Sequence, residues 1–551
     1  MNNFYYTIRL FITRHRFSLA FLMVLAGIAI GDVVAFELYN IFFANNPRPD
    51  ISFAPEVWMS ISALIIGTLV VIITIASQVV PRIIDVYMHD WRSLLYGWLM
   101  ILCAGHAVLL NNIAATRTSS ILLNEVLLMP LCIVLTFPYL FYILRYTKPN
   151  TIIHKIYNDC LWLMRELITP RMRQWIRKDD KNIIYCQKEL FKYINQLDNI
   201  FYYVAFKELQ AQIIINIGTL MREYIRSKEN IINPKFFAVT SAVTSDIAFQ
   251  TLEIQFQEIE ESRTFFEQKC FRMLGDAYNK FLTENLFDLA SLCGAEINLI
   301  GEAAIQTEDE YLMESIVIRF NTMMRSAFKH GVANQEARNL YNLAFHYSTY
   351  IKLLALNNRT ELVTKAVKYL RLYGGEVFRN SQSQQALYFI NDVFTFEMKE
   401  VLVLISELGW DLNIQKLLLK ELLEMDNPVV TTATNIAEPF TFHAGVRTLQ
   451  AGLALFYLKT KQTEMAGLVV EDIAKDLRKL EAAKAVALIE TITTRLETAV
   501  PTFWEDTDRG NNNIYYSSNK EFAFEFQLML MDSIQPDYLK PSEKEPHKFI
   551  A

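Results

Sequence analysis

Glycine and proline are scarce in this chain of 551 residues, 17 and 15 respectively, and no proline stands between Pro234 and Pro428. So long a stretch without the residue that breaks helices argues against a loop-rich or β-rich body. Cysteine is also rare. Cys103, Cys132, Cys160, Cys186, Cys270 and Cys293 form no CxxC pair, which excludes a zinc ribbon and speaks against a disulfide framework. The sequence contains no GxxxxGK[ST] phosphate loop, GxGxxG, HExxH or GxSxG, so the commonest nucleotide, metalloprotease and hydrolase signatures are missing. His330 and His346 stand alone, and the acids from Glu505 to Asp508 lack EF-hand spacing. No catalytic residue, metal site or cofactor is expected, and the chain reads as non-enzymatic. A net charge of −6 gives no reason to expect nucleic acid as a partner.

Long apolar runs are absent after residue 145, whereas four crowd the first 145 residues, at about 17–43, 57–80, 94–110 and 121–144. Each approaches or exceeds the ~20 apolar residues that cross a bilayer as a helix. The first is too long for a signal-peptide core and is expected to be retained. Arg9, Arg14 and Arg16 precede the first run, Arg82 and Arg92 lie between the second and third, and Arg145, Lys148 and Lys155 follow the fourth. The opposite loops carry only Arg48 and Arg117. The positive-inside rule then places both termini in the cytoplasm.

The fold class expected is all-α: a four-helix transmembrane domain over 1–145, then a large cytoplasmic helical domain, either a bundle or an irregular α-solenoid. Residues 146–181 form a basic connector in which Arg165, Arg171, Arg173, Arg177 and Lys178 interleave with apolar residues including Trp175. Such a pattern lies on an anionic leaflet or packs its apolar stripe on protein. A helical domain over 182–425, a linker over 426–443, a helical subdomain over 444–535 and a mobile tail over 536–551 complete the organisation. Apolar residues recur at three and four, as in Leu340, Leu343, Ala344 and Tyr347. Helix breaks are expected at 329–334, 357–360 and Gly374-Gly375. Thr307, followed by Glu310, reads as a capping box that starts a helix.

Within the runs, Asp32 and His106 are costly in hydrocarbon and mark a candidate ion pathway. Glu37 and Glu125 are expected in water at the outer surface. Gly27 and Gly31 share a GxxxG face, and Ala63 with Gly67 repeats the small-residue spacing, so these four are candidate helix-packing positions within one subunit or between copies. Pro130 and Pro138 are expected to kink the fourth run. Thr74, Ser77, Gln78 and Arg82 are the candidate lining of a cytoplasmic mouth.

The segment Ser77-Gln78-x-x-Pro81-Arg82, with Asp90 before the third run, resembles a bacterial family of inner-membrane proteins whose domain has no known function. The likeness lies mainly in residues 60–150. It implies a bacterial inner (plasma) membrane and supplies no activity. Three functions are compatible with these features: an oligomeric ion channel or transporter gated or assembled by the helical body, a membrane-anchored scaffold recruiting protein partners, and a membrane-permeabilising stress or defence effector. The lipid bilayer, a homo-oligomer and a protein bound to the cytoplasmic body are the expected partners. Asp32 or Gln78 facing an axis between subunits favours conduction. The same side chains packed inside one four-helix bundle with no polar lumen favour the scaffold.

Overall fold

The computed structural model describes residues 15–42, 52–79, 90–112, 118–146, 148–231, 234–381, 385–427, 442–507 and 510–534. Arg82, most of the 426–443 linker and the 536–551 tail lie outside them. The chain divides into two compact units, Met1–Cys270 and Phe271–Ala551.

In the first unit the four apolar runs become α1 (Arg16–Phe42), α2 (Ala54–Val79), α3 (Trp91–Asn112) and a composite fourth segment. All four are long and apolar enough to cross a membrane. The composite consists of α4 (Thr118–Leu122), a π-turn (Leu123–Leu128) and α5 (Met129–Tyr146). Its cause is legible in Pro130, which has no N–H and whose ring collides with the carbonyl four residues earlier in a regular helix. The chain widens instead, and the Met129 N–H reaches back five residues to Asn124 O. Trp58, Tyr96, Met100, Cys103, Leu123 and Met129 fill the space between the helices. The outward faces are apolar too: Leu64, Val126, Phe137 and Phe141 are 67–70% exposed.

The remainder of the first unit is a helical hairpin stack. From α5 the chain enters α6 (Pro149–Leu167), turns through α7 (Pro170–Lys178), returns along α8 (Asp180–Tyr203) and leaves again along α9 (Lys207–Lys228). The short α10 (Ser241–Thr244) and α11 (Phe256–Glu261) and the longer α12 (Phe265–Thr283) follow, tied in by two buried ion pairs, Lys228–Glu267 at 2.9 Å and Lys269–Asp246 at 2.7 Å.

The second unit stacks helices in two layers. One layer contains α13 (Phe287–Gln306), α15 (Arg338–Leu356), α17 (Gln385–Glu407), α19 (Ala444–Lys459) and α21 (Ala482–Thr498). The other contains α14 (Glu310–Asn334), α16 (Thr360–Ser381), α18 (Leu412–Leu423), α20 (Thr463–Leu477) and α22 (Ala523–Ile534). Within each layer every helix packs on the next, the arrangement of an α-solenoid. The all-α expectation needs one amendment: Thr502–Thr507 and Gly510–Asn512 pair as a short antiparallel ribbon.

Local expectations fail for identifiable reasons. Thr307 ends α13 and bonds back to Ala303 O at 3.1 Å. Asp309 caps α14 instead, accepting from Leu312 N at 3.1 Å. The expected break at 329–334 comes later, where Gln335 takes a left-handed φ of 54°. Gly374 and Gly375 run inside α16. At Gly374 the missing side chain makes room for Met425, whose Cε lies 2.3 Å from where a Cβ would stand.

Candidate functional site: a polar seam between the apolar helices

Each of the four apolar segments contributes one residue to a single hydrogen-bonded chain. The indole N–H of Trp58, which can only donate, gives to Asn124 Oδ1 at 2.9 Å. That fixes the amide orientation. Asn124 Nδ2 then faces Cys103 O at 3.2 Å and His106 Nδ1 at 3.1 Å. His106 Nδ1 must therefore accept, so the ring proton sits on Nε2, 3.1 Å from Asp32 Oδ2. Donation runs one way, from Trp58 through Asn124 and His106 to Asp32.

Trp58 and Asn124 are fully buried, while the His106 and Asp32 side chains are 14% and 30% exposed. Asp32 Oδ1 is buried with no hydrogen-bond partner among the described residues. At 1.5 Å per residue the pair stands about 22–24 Å from the starts of α1 and α3.

Further polar groups line the α3–α5 seam between this chain and the starts of those helices. The Cys103 and Cys132 thiols are hydrogen-bonded. Thr136 Oγ1 donates to Cys132 O at 2.8 Å and lies 2.8 Å from the Tyr96 hydroxyl. The Tyr96 and Tyr139 rings are 4.2 Å apart, and Tyr139 bonds to Ser93. Ser93 N and Oγ reach Asp90 Oδ2 at 3.1 and 3.4 Å, and Lys155 lies 3.9 Å from the same carboxylate. Ser93, Tyr96, Cys103 and His106 are spaced three, seven and three, which keeps them on one side of α3.

Of the residues singled out in the sequence, Asp32 and His106 meet. Thr74 bonds back to Val70 O at 2.7 Å on an exposed face. Ser77 and Gln78 belong to α2, but their side chains, like Arg82, lie outside the described residues. Gly31 packs against Leu123, 3.3 Å from its ideal Cβ, whereas Gly27 and Gly67 meet nothing within 4 Å and Ala63 is exposed with them. Only Gly31 of that set thus packs within this chain. Glu37 is exposed and Glu125 is half-buried. The connector needs correction: Trp175 is 4% exposed and edge-on to Tyr185, so its apolar stripe packs on protein. Arg173 Nη2 donates to Asn230 O at 2.9 Å, while Arg165, Arg171, Arg177 and Lys178 are exposed.

The sequence reading missed Trp58 and Asn124. Asparagine in an apolar run was the available signal, because a buried amide must find partners for both its N–H and its carbonyl.

A second buried polar group lies in the solenoid. His443, at the end of the 426–443 segment, stacks on Tyr388 with ring centroids 3.8 Å apart, and its Nδ1 accepts from Val446 N at 3.3 Å. Asp392 Oδ1 stands 3.4 Å from the same nitrogen, and Tyr515 donates to Asp392 Oδ2 at 2.6 Å. Two acceptors face each other unless the carboxyl keeps its proton. Burial pushes Asp392 up to about 7 and His443 down to about 4. The two act on stability with opposite signs. Asp392 contributes stability that is full below 3.8 and is lost as pH rises to about 7, whereas the His443 contribution is full above 6.5 and is lost as pH falls to about 4. Between these limits they largely cancel. Asp392→Asn removes the first alone, so the variant's melting temperature relative to wild type should climb from pH 4.5 to 7. A pH-independent difference between the two melting curves would contradict this assignment.

No family model and no curated protein matches the chain. Among solved structures it is similar to a circular tandem repeat protein with novel repeat topology and enhanced subunit contact surfaces. The identity is 12%, over 94% of this chain and 96% of that one, at a TM-score of 0.34. A likeness at that level carries no conclusion about fold or function.

Proposed function

We propose that this chain is a multi-pass protein of the bacterial inner membrane in which α1–α5 pass protons along the α3–α5 seam. Its helical body is cytoplasmic and gates or assembles the membrane part. The apolar outward faces support membrane embedding, because Leu64, Phe137 and Phe141 would be an unfavourable surface in water. The basic residues flanking the runs support cytoplasmic termini, and the Ser77 to Arg82 resemblance supports the compartment.

One observation carries the functional reading: polar side chains recur along the seam, from Asp90 and Ser93 at the start of α3 through the Tyr96–Thr136 pair to the Asn124–His106–Asp32 chain. An ionisable pair in hydrocarbon costs several kcal/mol, so its presence there argues for a functional role. The seam lies inside one chain, so a proton path needs no axis between copies. The outward Gly27, Ala63 and Gly67 remain available for contact with a second copy.

The scaffold is the second reading, favoured by the way the Trp58–Asn124–His106–Asp32 chain ties all four apolar segments together. In that reading the polar groups clamp four anchor helices, and the solenoid layers recruit a protein partner. Purified full-length protein in liposomes loaded with a pH-sensitive dye separates the two. Under a potassium diffusion potential, the proton path gives acidification above the rate of protein-free vesicles. Equal rates leave the scaffold.

A further inference from the structure

The hairpin stack of the first unit carries an exposed aromatic tip. At the turn from α8 into α9, Tyr202, Tyr203 and Phe206 are 49%, 57% and 65% exposed, with exposed Lys207 and Glu208 beside them. Three large apolar side chains in five residues are an unfavourable surface for water. What covers them follows from the path of the chain.

α8 packs along α6 with Tyr193 in the neighbourhood of Asp159 and Cys160, and the two helices are antiparallel through the short α7 turn. About ten residues further along α8 and ten back along α6, Tyr203 comes level with Asn150. That is the start of α6, a few residues beyond the end of α5 at Tyr146. Two further contacts agree. Lys155 of α6 lies 3.9 Å from Asp90, immediately before α3, so the first turns of α6 stand at the cytoplasmic ends of the apolar helices. At the opposite end, Arg173 of α7 holds Asn230 just beyond α9, so the other end of α9, beginning at Lys207, points back toward Asn150. The basic connector α7 is carried away from the helix ends by the length of α6, about 28 Å.

We propose that the α8–α9 turn is an interfacial anchor that seats Tyr202, Tyr203 and Phe206 in the inner leaflet beside the end of α5. Tyrosine favours this depth, where the ring meets acyl chain and the hydroxyl meets headgroups, and Phe206 adds an apolar ring beside Tyr202 and Tyr203. Arg145, Lys148 and Lys207, all exposed at this end, complement anionic headgroups. The anchor rests on the reading that α1–α5 cross a membrane.

The test uses the full chain in nanodiscs of mixed anionic and neutral phospholipid. All six native cysteines are buried, so a nitroxide label goes to an introduced one. Three variants are compared, Phe137→Cys on the outward face of α5, Phe206→Cys and Arg177→Cys, by collision of the label with oxygen and with a water-soluble nickel chelate. The Phe137 label should favour oxygen strongly, the Phe206 label several-fold over the Arg177 label, and the Arg177 label should read as water. A Phe206 label that reads as water while the Phe137 label reads lipid overturns the anchor alone. A Phe137 label that reads as water overturns the membrane reading and the anchor with it. An Arg177 label at the interface with Phe206 in water makes α7 the leaflet contact and also overturns the proposal.

Discussion

Asp32→Asn is expected to lower proton flux into liposomes by at least about tenfold, equivalent to ~1.4 kcal/mol or more on the barrier, while leaving the fold intact. The asparagine carbonyl still accepts from His106 Nε2, so the chain from Trp58 keeps its direction. What is lost is a carboxyl able to take up and release a proton at the end of that chain, where Oδ1 has no hydrogen-bond partner among the described residues. Neutral isosteric replacement also removes the cost of a carboxyl group in hydrocarbon, about 2.5–3.5 kcal/mol on insertion scales, so the variant should insert and melt at least as well as wild type. Asn124→Leu is the contrasting case. It strands the Trp58 N–H and releases the His106 tautomer, and losing a buried partner costs ~1–3 kcal/mol, so both flux and melting temperature should fall. Wild-type flux from Asp32→Asn protein would remove the seam as the path. Failure of Asp32→Asn to fold would instead make Asp32 part of the clamp, as the scaffold reading holds.

The sequence announces the apolar helices because a long apolar run has few alternatives, and α1 at Arg16–Phe42 falls within a residue of the expected 17–43. Asp32 and His106 stand out for the same reason, since a titratable side chain in such a run is conspicuous. Their contact does not. It depends on how α1 and α3 rotate against each other, and no single-helix pattern encodes that angle. Asn124 enters the chain through the π-turn, which shifts the helical register by one residue. Pro130 invites that distortion, but a proline alone does not say whether a helix kinks or widens.

The body shows the complementary limit. Helix lengths and turns such as 357–360 can be read from periodicity, yet the two-layer stacking has no signature residues at fixed period. Trp175 illustrates a real degeneracy: a basic, aromatic helix face looks the same whether its apolar stripe meets lipid or protein. Gly374 illustrates another, because a glycine needed for close approach to Met425 reads as a helix breaker. The capping motif at Thr307 fails because Asp309 is nearer the helix it caps, and its carboxylate is the better acceptor for a helix N-terminus.

Arg447→Met should destabilise the solenoid more than Asp392→Asn does. Arg447 is 1% exposed and binds three carboxylates, Asp426 at 2.8 Å, Asp472 at 2.5 Å and Asp476, with Gln450 Oε1 accepting at 2.9 Å. Burial opposes its charge, but the three acids outweigh that and push its ionisation upward. Methionine fills much of the volume and leaves the acids facing one another. Breaking a buried ion pair from one side costs about 3–5 kcal/mol, which corresponds to a fall of ~10 °C in melting temperature for a unit of this size. Burial already raises Asp426 to about 6 with Arg447 in place. Without the guanidinium the native acids bind protons more readily still, so the folded variant gains protons relative to the unfolded chain and its deficit should shrink as pH falls from 8 to 5. Arg447→Lys keeps a charge but presents a point ammonium where a planar fork served three partners, and should fall between. Adding Asp426→Asn and Asp476→Asn to Arg447→Met removes the stranded charges and should recover much of the loss. Thermal melts by circular dichroism, with hydrogen exchange across α19 and α20, read all four proteins. A melting shift of only a degree or two at pH 8, or no recovery on neutralising the acids, would show that these carboxylates are not held out of water by this cluster.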